Sequence, residues 1–392
     1  MKNYKLHTSE GFKDTFGKEI LVKKEIENKV LACFKSFGLE YIKTPGVEYI
    51  DVYSDKGIQK PDLYNLINHQ GEVLALCNDM TASIARFVAS NNIKAPAKFC
   101  YSADTFRYPR LYQGKSHQFL QAGIELVGSE NIESDIEAIY IAHKVLNKLD
   151  INNYSIHLGS SKFLDLLFND FNINESLKKE IYQDIEKKDY VSLNELLKNN
   201  LEEKHYKFLF DLMLKGGKLR FIENLIKDLK GYKALEEALY LKNIYNTLKE
   251  LGVENIIFDF SIYPYATYYT GIIFEVYLEN ASKSIISGGR CNVFKSFGLD
   301  YSDIGFGLDI DVLTQYALDN KLIIINQRRY ISFADKASYI FSLKTNDSFR
   351  EDGIIVNDLR LNSLEETIKY AKDNGYSRVI SYENNSFKLL EV

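Results

Sequence analysis

The chain has 392 residues, 45% hydrophobic and 26% charged, a balance that suits a globular protein with a large core and a smaller appendage. Its formal net charge of −5 argues against nucleic acid as a partner. No run of about 18 apolar residues and no apolar N-terminal stretch marks a membrane span or a signal peptide. The four cysteines, Cys33, Cys77, Cys100 and Cys291, have neither metal-ligand nor disulfide-framework spacing, and the six histidines form no HxxxH pattern. The expectation is a cytoplasmic protein with reduced thiols and no metal or cofactor.

Apolar residues at Ile20, Leu21, Ile26, Val30, Leu31, Phe34 and Phe37 predict an amphipathic helix over 18–37, ended by Gly38. The alternating segment from Leu39 to Pro45 predicts a strand. A helix is expected over 79–94, capped by Asp79, and strands over 98–107 and 117–128, separated by a loop with Pro109, Gln113 and Gly114. From about 130 to 250 the pattern is mostly helical: one helix from Glu133 to Asp150, then a proline-free, Leu/Lys/Glu/Asn-rich stretch over 170–252 that predicts an all-helical insertion. Strands are expected over 255–260, 271–278 and 283–288, and a helix over 309–320. The tail after about 328 alternates strand and helix signals, as a small α/β domain would.

Chemistry-bearing segments occur in a fixed order. Leu76-Cys77-Asn78-Asp79-Met80-Thr81-Ala82 offers a carboxylate and a hydroxyl, the groups that replace water around a buried ammonium. In Gln121-Ala122-Gly123-Ile124-Glu125, two polar residues four apart on a strand share one face. Downstream lie Pro264-Tyr265-Ala266-Thr267-Tyr268-Tyr269-Thr270-Gly271, Ser287-Gly288-Gly289-Arg290 and Gly305-Phe306-Gly307-Leu308-Asp309-Ile310-Asp311-Val312-Leu313. The glycines of the last two are accounted for by turn geometry.

Together these segments resemble the histidyl-tRNA synthetases. The resemblance implies an α+β, class II synthetase-like antiparallel sheet flanked by helices over residues 1–325, with the helical insertion at about 170–252 and a small C-terminal α/β domain over 326–392. Phe37 to Pro45 resembles the first class II motif, which implies dimerisation. Phe106-Arg107-Tyr108-Pro109-Arg110 resembles the second, and the resemblance implies that Asp79, Thr81, Arg107, Gln121, Glu125, Tyr268 and Tyr269 bind histidine.

Three positions depart from the synthetase pattern. Pro264 stands where the activating arginine is expected, Pro109 where a glutamate engages ATP, and Val312 where an arginine packs against ATP. Lys115 also replaces a loop arginine and removes bidentate phosphate recognition. A proline or valine cannot stabilise a transferring phosphoryl group, so no residue is assigned a catalytic role. Lost ATP positions beside retained amino-acid positions resemble the ATP phosphoribosyltransferase regulatory subunits, non-catalytic relatives of the synthetase. That resemblance implies a hetero-oligomer with the short-form catalytic subunit, which the chain would activate in the first step of histidine biosynthesis, with L-histidine as feedback effector. The alternatives are an active histidyl-tRNA synthetase or another synthetase-like histidine sensor.

Overall fold

The structure is a computed structural model and describes residues 4–54, 63–108, 116–262, 269–279, 281, 283–323 and 328–392. The chain divides into two compact units, Met1–Ile323 and Ile324–Val392. In chain order the first begins α1 (Lys18–Ser36), β1 (Glu40–Tyr41), β2 (Val47–Tyr49), α2 (Asp51–Ser54), β3 (Asn65–Ile67), β4 (Val73–Leu76) and α3 (Met80–Ser90). There follow β5 (Ala97–Phe106), β6 (Gln118–Val127), α4 (Ile132–Lys148), β7 (Tyr154–Ser160) and α5 (Ser161–Asp170). Next come α6 (Glu175–Lys187), α7 (Tyr190–Asn200), α8 (Glu203–Leu214), α9 (Leu219–Asp228) and α10 (Ala234–Glu250). The unit closes with β8 (Ile256–Phe258), β9 (Tyr269–Leu278), β10 (Ser284–Cys291), β11 (Asp303–Asp309) and α11 (Ile310–Asp319). No helix among the described residues is long and apolar enough to cross a membrane.

An eight-stranded sheet, ordered β1-β5-β6-β11-β10-β9-β7-β8, organises this unit. Its inner pairings are antiparallel, while β1–β5 and β7–β8 at the two edges are parallel. Alternation along each strand gives the sheet one apolar and one polar face. Ala122, Ile124, Leu126, Ile304, Phe306, Leu308 and Phe274 fill the apolar face and are buried. Val22, Ile26, Val30 and Phe34 of α1 pack on it, Phe34 meeting Phe306 edge-on at 5.9 Å. Each such aromatic or branched side chain contributes about 1.5–3 kcal/mol on burial. The stripe that makes α1 amphipathic is thus spent on its own sheet. The helix ends where Gly38 takes φ +76, a left-handed conformation that glycine adopts without steric cost.

The sequence and the structure differ at three points. The expected strand over Leu39–Pro45 is reduced to β1, which pairs with β5 for only two residues; past Pro45 the chain enters the small antiparallel sheet β2-β4-β3. A seven-residue strand, β7, interrupts the stretch read as mostly helical; its inward Tyr154, Ile156 and Leu158 alternate with half-buried Ser155 and His157. Gly288, Gly289, Gly305 and Gly307 lie inside β10 and β11, not in turns, and none has a positive φ. They are needed because neighbouring groups lie directly against them.

The second unit runs β12 (Arg329–Ala334), α12 (Tyr339–Glu351), β13 (Ile355–Asn357), α13 (Leu364–Asp373), β14 (Arg378–Glu383) and β15 (Ser386–Glu391). Strands β13, β12 and β14 are parallel, and β15 joins antiparallel at the edge. Buried Ile380 and Tyr382 face Phe341 and Phe349 of α12, whereas Val379, on the opposite face, packs with Ala371 of α13. The arrangement is a three-layered α/β/α unit with its own core.

Candidate functional site

The polar face of the large sheet carries the candidate site, because small residues there leave room for polar side chains to lie flat. Tyr101 of β5, Gly123 of β6 and Gly307 of β11 stand in one row across three strands; Phe99, Glu125 and Gly305 stand in the next. A Cβ on Gly305 would collide with the Glu125 carboxylate, one on Gly307 with the Gln121 amide, one on Gly123 with the Tyr101 hydroxyl, and one on Gly289 with the Tyr269 ring. Four glycines are therefore the floor on which four polar or aromatic side chains rest.

Helix α3 supplies the wall. Asp79 is its N-cap, its Oδ1 accepting the Ala82 backbone N–H at 3.3 Å, a local contact that Asp, Asn, Ser and Thr are suited to make. One turn in, the Thr81 hydroxyl donates to Glu125 Oε1 at 2.5 Å and ties helix to sheet. Asp79 is 8% exposed and Glu125 3%. Two carboxylates so removed from water favour a ligand that brings positive charge. Burial, with Cys291, Asp79 and Glu125 close by, pushes the Tyr269 phenol well above its ordinary pKa, so it stays a neutral donor. The Tyr269 backbone carbonyl is held in turn by the Ser161 hydroxyl at 3.0 Å.

Arg107 stands exposed at the rim, where its Nε donates to the Asn78 carbonyl at 3.4 Å and its guanidinium lies over the Phe119 ring at 5.1 Å. Thus Asp79, Thr81, Gln121, Glu125 and Tyr269 converge on one face with Arg107 at its edge. Tyr268, with Pro109 and Pro264, lies outside the described residues. Tyr101 was not among the residues expected from sequence; its place one row from Gln121 and Glu125 on the paired strand is the signal that finds it.

The position where the synthetases carry their ATP-contacting arginine is Val312, in the first turn of α11, whose backbone N–H donates to Asp309 Oδ1 at 3.0 Å. Asp309 and Asp311 precede it, and burial holds the Asp309 carboxyl above its usual range. Asp311 accepts the Leu120 N–H at 2.7 Å and the Lys23 ammonium at 2.6 Å, stapling α11 to β6 and α1. A valine at this position offers no fixed cation to a polyphosphate.

Arg290, beyond Gly289, has a structural task. Its guanidinium donates to Asp135 Oδ1 through Nε at 2.9 Å and through a terminal nitrogen at 2.5 Å, to Ser302 Oγ at 2.9 Å and to the Ser129 and Asn131 carbonyls. Asp135 also receives the Tyr240 hydroxyl, so strand β10, helix α4 and helix α10 meet at one buried ion pair.

A sequence profile of the histidyl-tRNA synthetase family matches residues 11–313. The ATP phosphoribosyltransferase regulatory subunit of Clostridium novyi (strain NT) is 30% identical over 99% of this chain and 94% of its own length. That of Clostridium botulinum (strain Langeland) is 29% identical over 97% of this chain and 93% of its own. Among solved structures, an ATP phosphoribosyltransferase regulatory subunit/histidyl-tRNA synthetase from Bacillus halodurans superposes with a TM-score of 0.84 at 25% identity, covering 97% of this chain and 99% of that one. The histidyl-tRNA synthetase of Nostoc sp. PCC 7120 shares the fold, with a TM-score of 0.81 at 21% identity over 99% of this chain and 96% of that one. The chain belongs to the ATP phosphoribosyltransferase regulatory subunits, a family built on the histidyl-tRNA synthetase fold.

Proposed function

We propose that this regulatory subunit binds L-histidine in the pocket formed by Asp79, Thr81, Arg107, Gln121, Glu125, Tyr268 and Tyr269, and through it controls a short-form ATP phosphoribosyltransferase catalytic subunit in the cytoplasm. The observation that carries this reading is a division within one sheet face. The two acids suited to an amino acid are buried and one of them holds the Thr81 hydroxyl, whereas Val312 takes the ATP-contacting position. Carboxylates meet the ammonium or the imidazole, Arg107 is placed to meet the carboxylate, and the tyrosines flank the ring.

Adenylate formation needs fixed cations around developing charge. The purified chain is therefore expected to give no histidine-dependent ATP–pyrophosphate exchange, and measurable exchange would instead favour an active synthetase.

The chain also self-associates through the segment around residues 30–53. With the α1 stripe occupied internally, the exposed apolar surface there includes Tyr41, Val47 and Tyr49, the last two continued by exposed Leu66 on the same face of the small sheet. Such a self-complementary patch suits a two-fold interface. Sedimentation at micromolar concentration should show a dimer that Val47→Glu weakens; a wild-type chain that sediments only as monomer would refute the interface.

A further inference from the structure

We propose that Tyr101 is a specificity-determining residue of the pocket, its hydroxyl reading a ring nitrogen of the bound amino acid. This rests on the proposal that histidine occupies the pocket. The Tyr101 ring is 2% exposed and shares an apolar cluster with Met80, Ile84 and Phe99, which fixes its plane. The phenol then crosses Gly123, the one residue between Gln121 and Glu125 on that face of β6. Its hydroxyl therefore stands between an amide and a carboxylate on the floor of the pocket. Among the described residues nothing hydrogen-bonds it, and the oxygen is not sealed from solvent, so it is open to a ligand. Burial, reinforced by Glu125 and Asp79, holds the phenol well above its ordinary pKa, so it is present as O–H. A hydroxyl can donate to an unprotonated ring nitrogen or accept from a protonated one, and the adjoining Glu125 carboxylate can only accept. Side by side they suit a five-membered ring carrying two unlike nitrogens.

A purely structural Tyr101 would need its ring but not its oxygen. Titration calorimetry on the full chain, with L-histidine and with 3-(2-thienyl)-L-alanine, which keeps the amino-acid end but has no ring nitrogen, separates the two. Tyr101→Phe is expected to weaken histidine about threefold to tenfold and leave thienylalanine unchanged, so that the preference between them contracts. An unchanged preference in Tyr101→Phe, with thermal unfolding unaltered, would overturn the assignment. If Glu125→Ala and Gln121→Ala leave histidine binding intact, the pocket reading has failed instead, and this assignment with it.

Discussion

Glu125→Ala is expected to weaken histidine binding about tenfold to a hundredfold, and to shift inhibition of the assembled ATP phosphoribosyltransferase by a similar factor. Glu125 is almost fully buried, accepts the Thr81 hydroxyl and lies flat over Gly305. A charge-assisted hydrogen bond from such a carboxylate contributes roughly 1.5–3 kcal/mol, and about 1.4 kcal/mol is a factor of ten. The substitution removes the negative charge and frees Thr81, so both the electrostatic match and the tie between α3 and the sheet are lost. Inhibition should follow binding, because an effector acts only through its differential affinity for two states. Calorimetry gives the first quantity and inhibition curves the second. Unchanged inhibition constants in both Glu125→Ala and Gln121→Ala complexes would place the effector site elsewhere.

Arg290→Ala should destabilise the first unit by about 3–5 kcal/mol, the range found when one partner of a buried ion pair is removed. The arginine side chain is 11% exposed and that of Asp135 1%, so the remaining carboxylate has little access to water. Burial already raises the Asp135 pKa, and Arg290 opposes that rise. Without the arginine it climbs further. A group whose folded pKa lies above its unfolded value contributes stability at low pH and loses it as pH rises through the folded value. The defect should therefore be largest near neutrality and shrink on acidification. Adding Asp135→Asn removes the charge and should recover a large part of the loss. Urea unfolding at two pH values measures both effects; a single mutant within about 0.5 kcal/mol of wild type would show that the pair is not what joins α4 to β10.

What could be read from sequence followed the range of each interaction. Helix α1 and the helices α6 to α10 were legible because a stripe of apolar residues and a terminal glycine are local signals. The site was legible as letters, since Gln121 and Glu125 share a strand face by spacing alone and Asp79 and Thr81 fall at the cap and first turn of one helix. Strand β7 escaped because seven residues between two helices give too short an alternation to override their surroundings. The glycines of β10 and β11 were read as turn residues because their reason lies across strands: only pairing with β6 puts Gly305 beside Glu125 and Gly307 beside Gly123. Tyr101 was missed for the same cause. Its hydroxyl acquires meaning from Gly123, twenty-two positions away and one strand over.

The run from Leu74 to Thr81 has a mechanical consequence. Leu74 and Leu76 belong to the face of the small sheet that also exposes Val47 and Tyr49, and three residues later the same backbone becomes the cap and first turn of α3. The Cys77 N–H is bonded to the Gly46 carbonyl at 2.9 Å and the Cys77 carbonyl to the Phe106 N–H at 2.8 Å, so the connection is stapled from both sides and has no slack. One short stretch of backbone therefore belongs both to the proposed interface and to the proposed pocket, and any coupling between the two would have to be reciprocal in free energy.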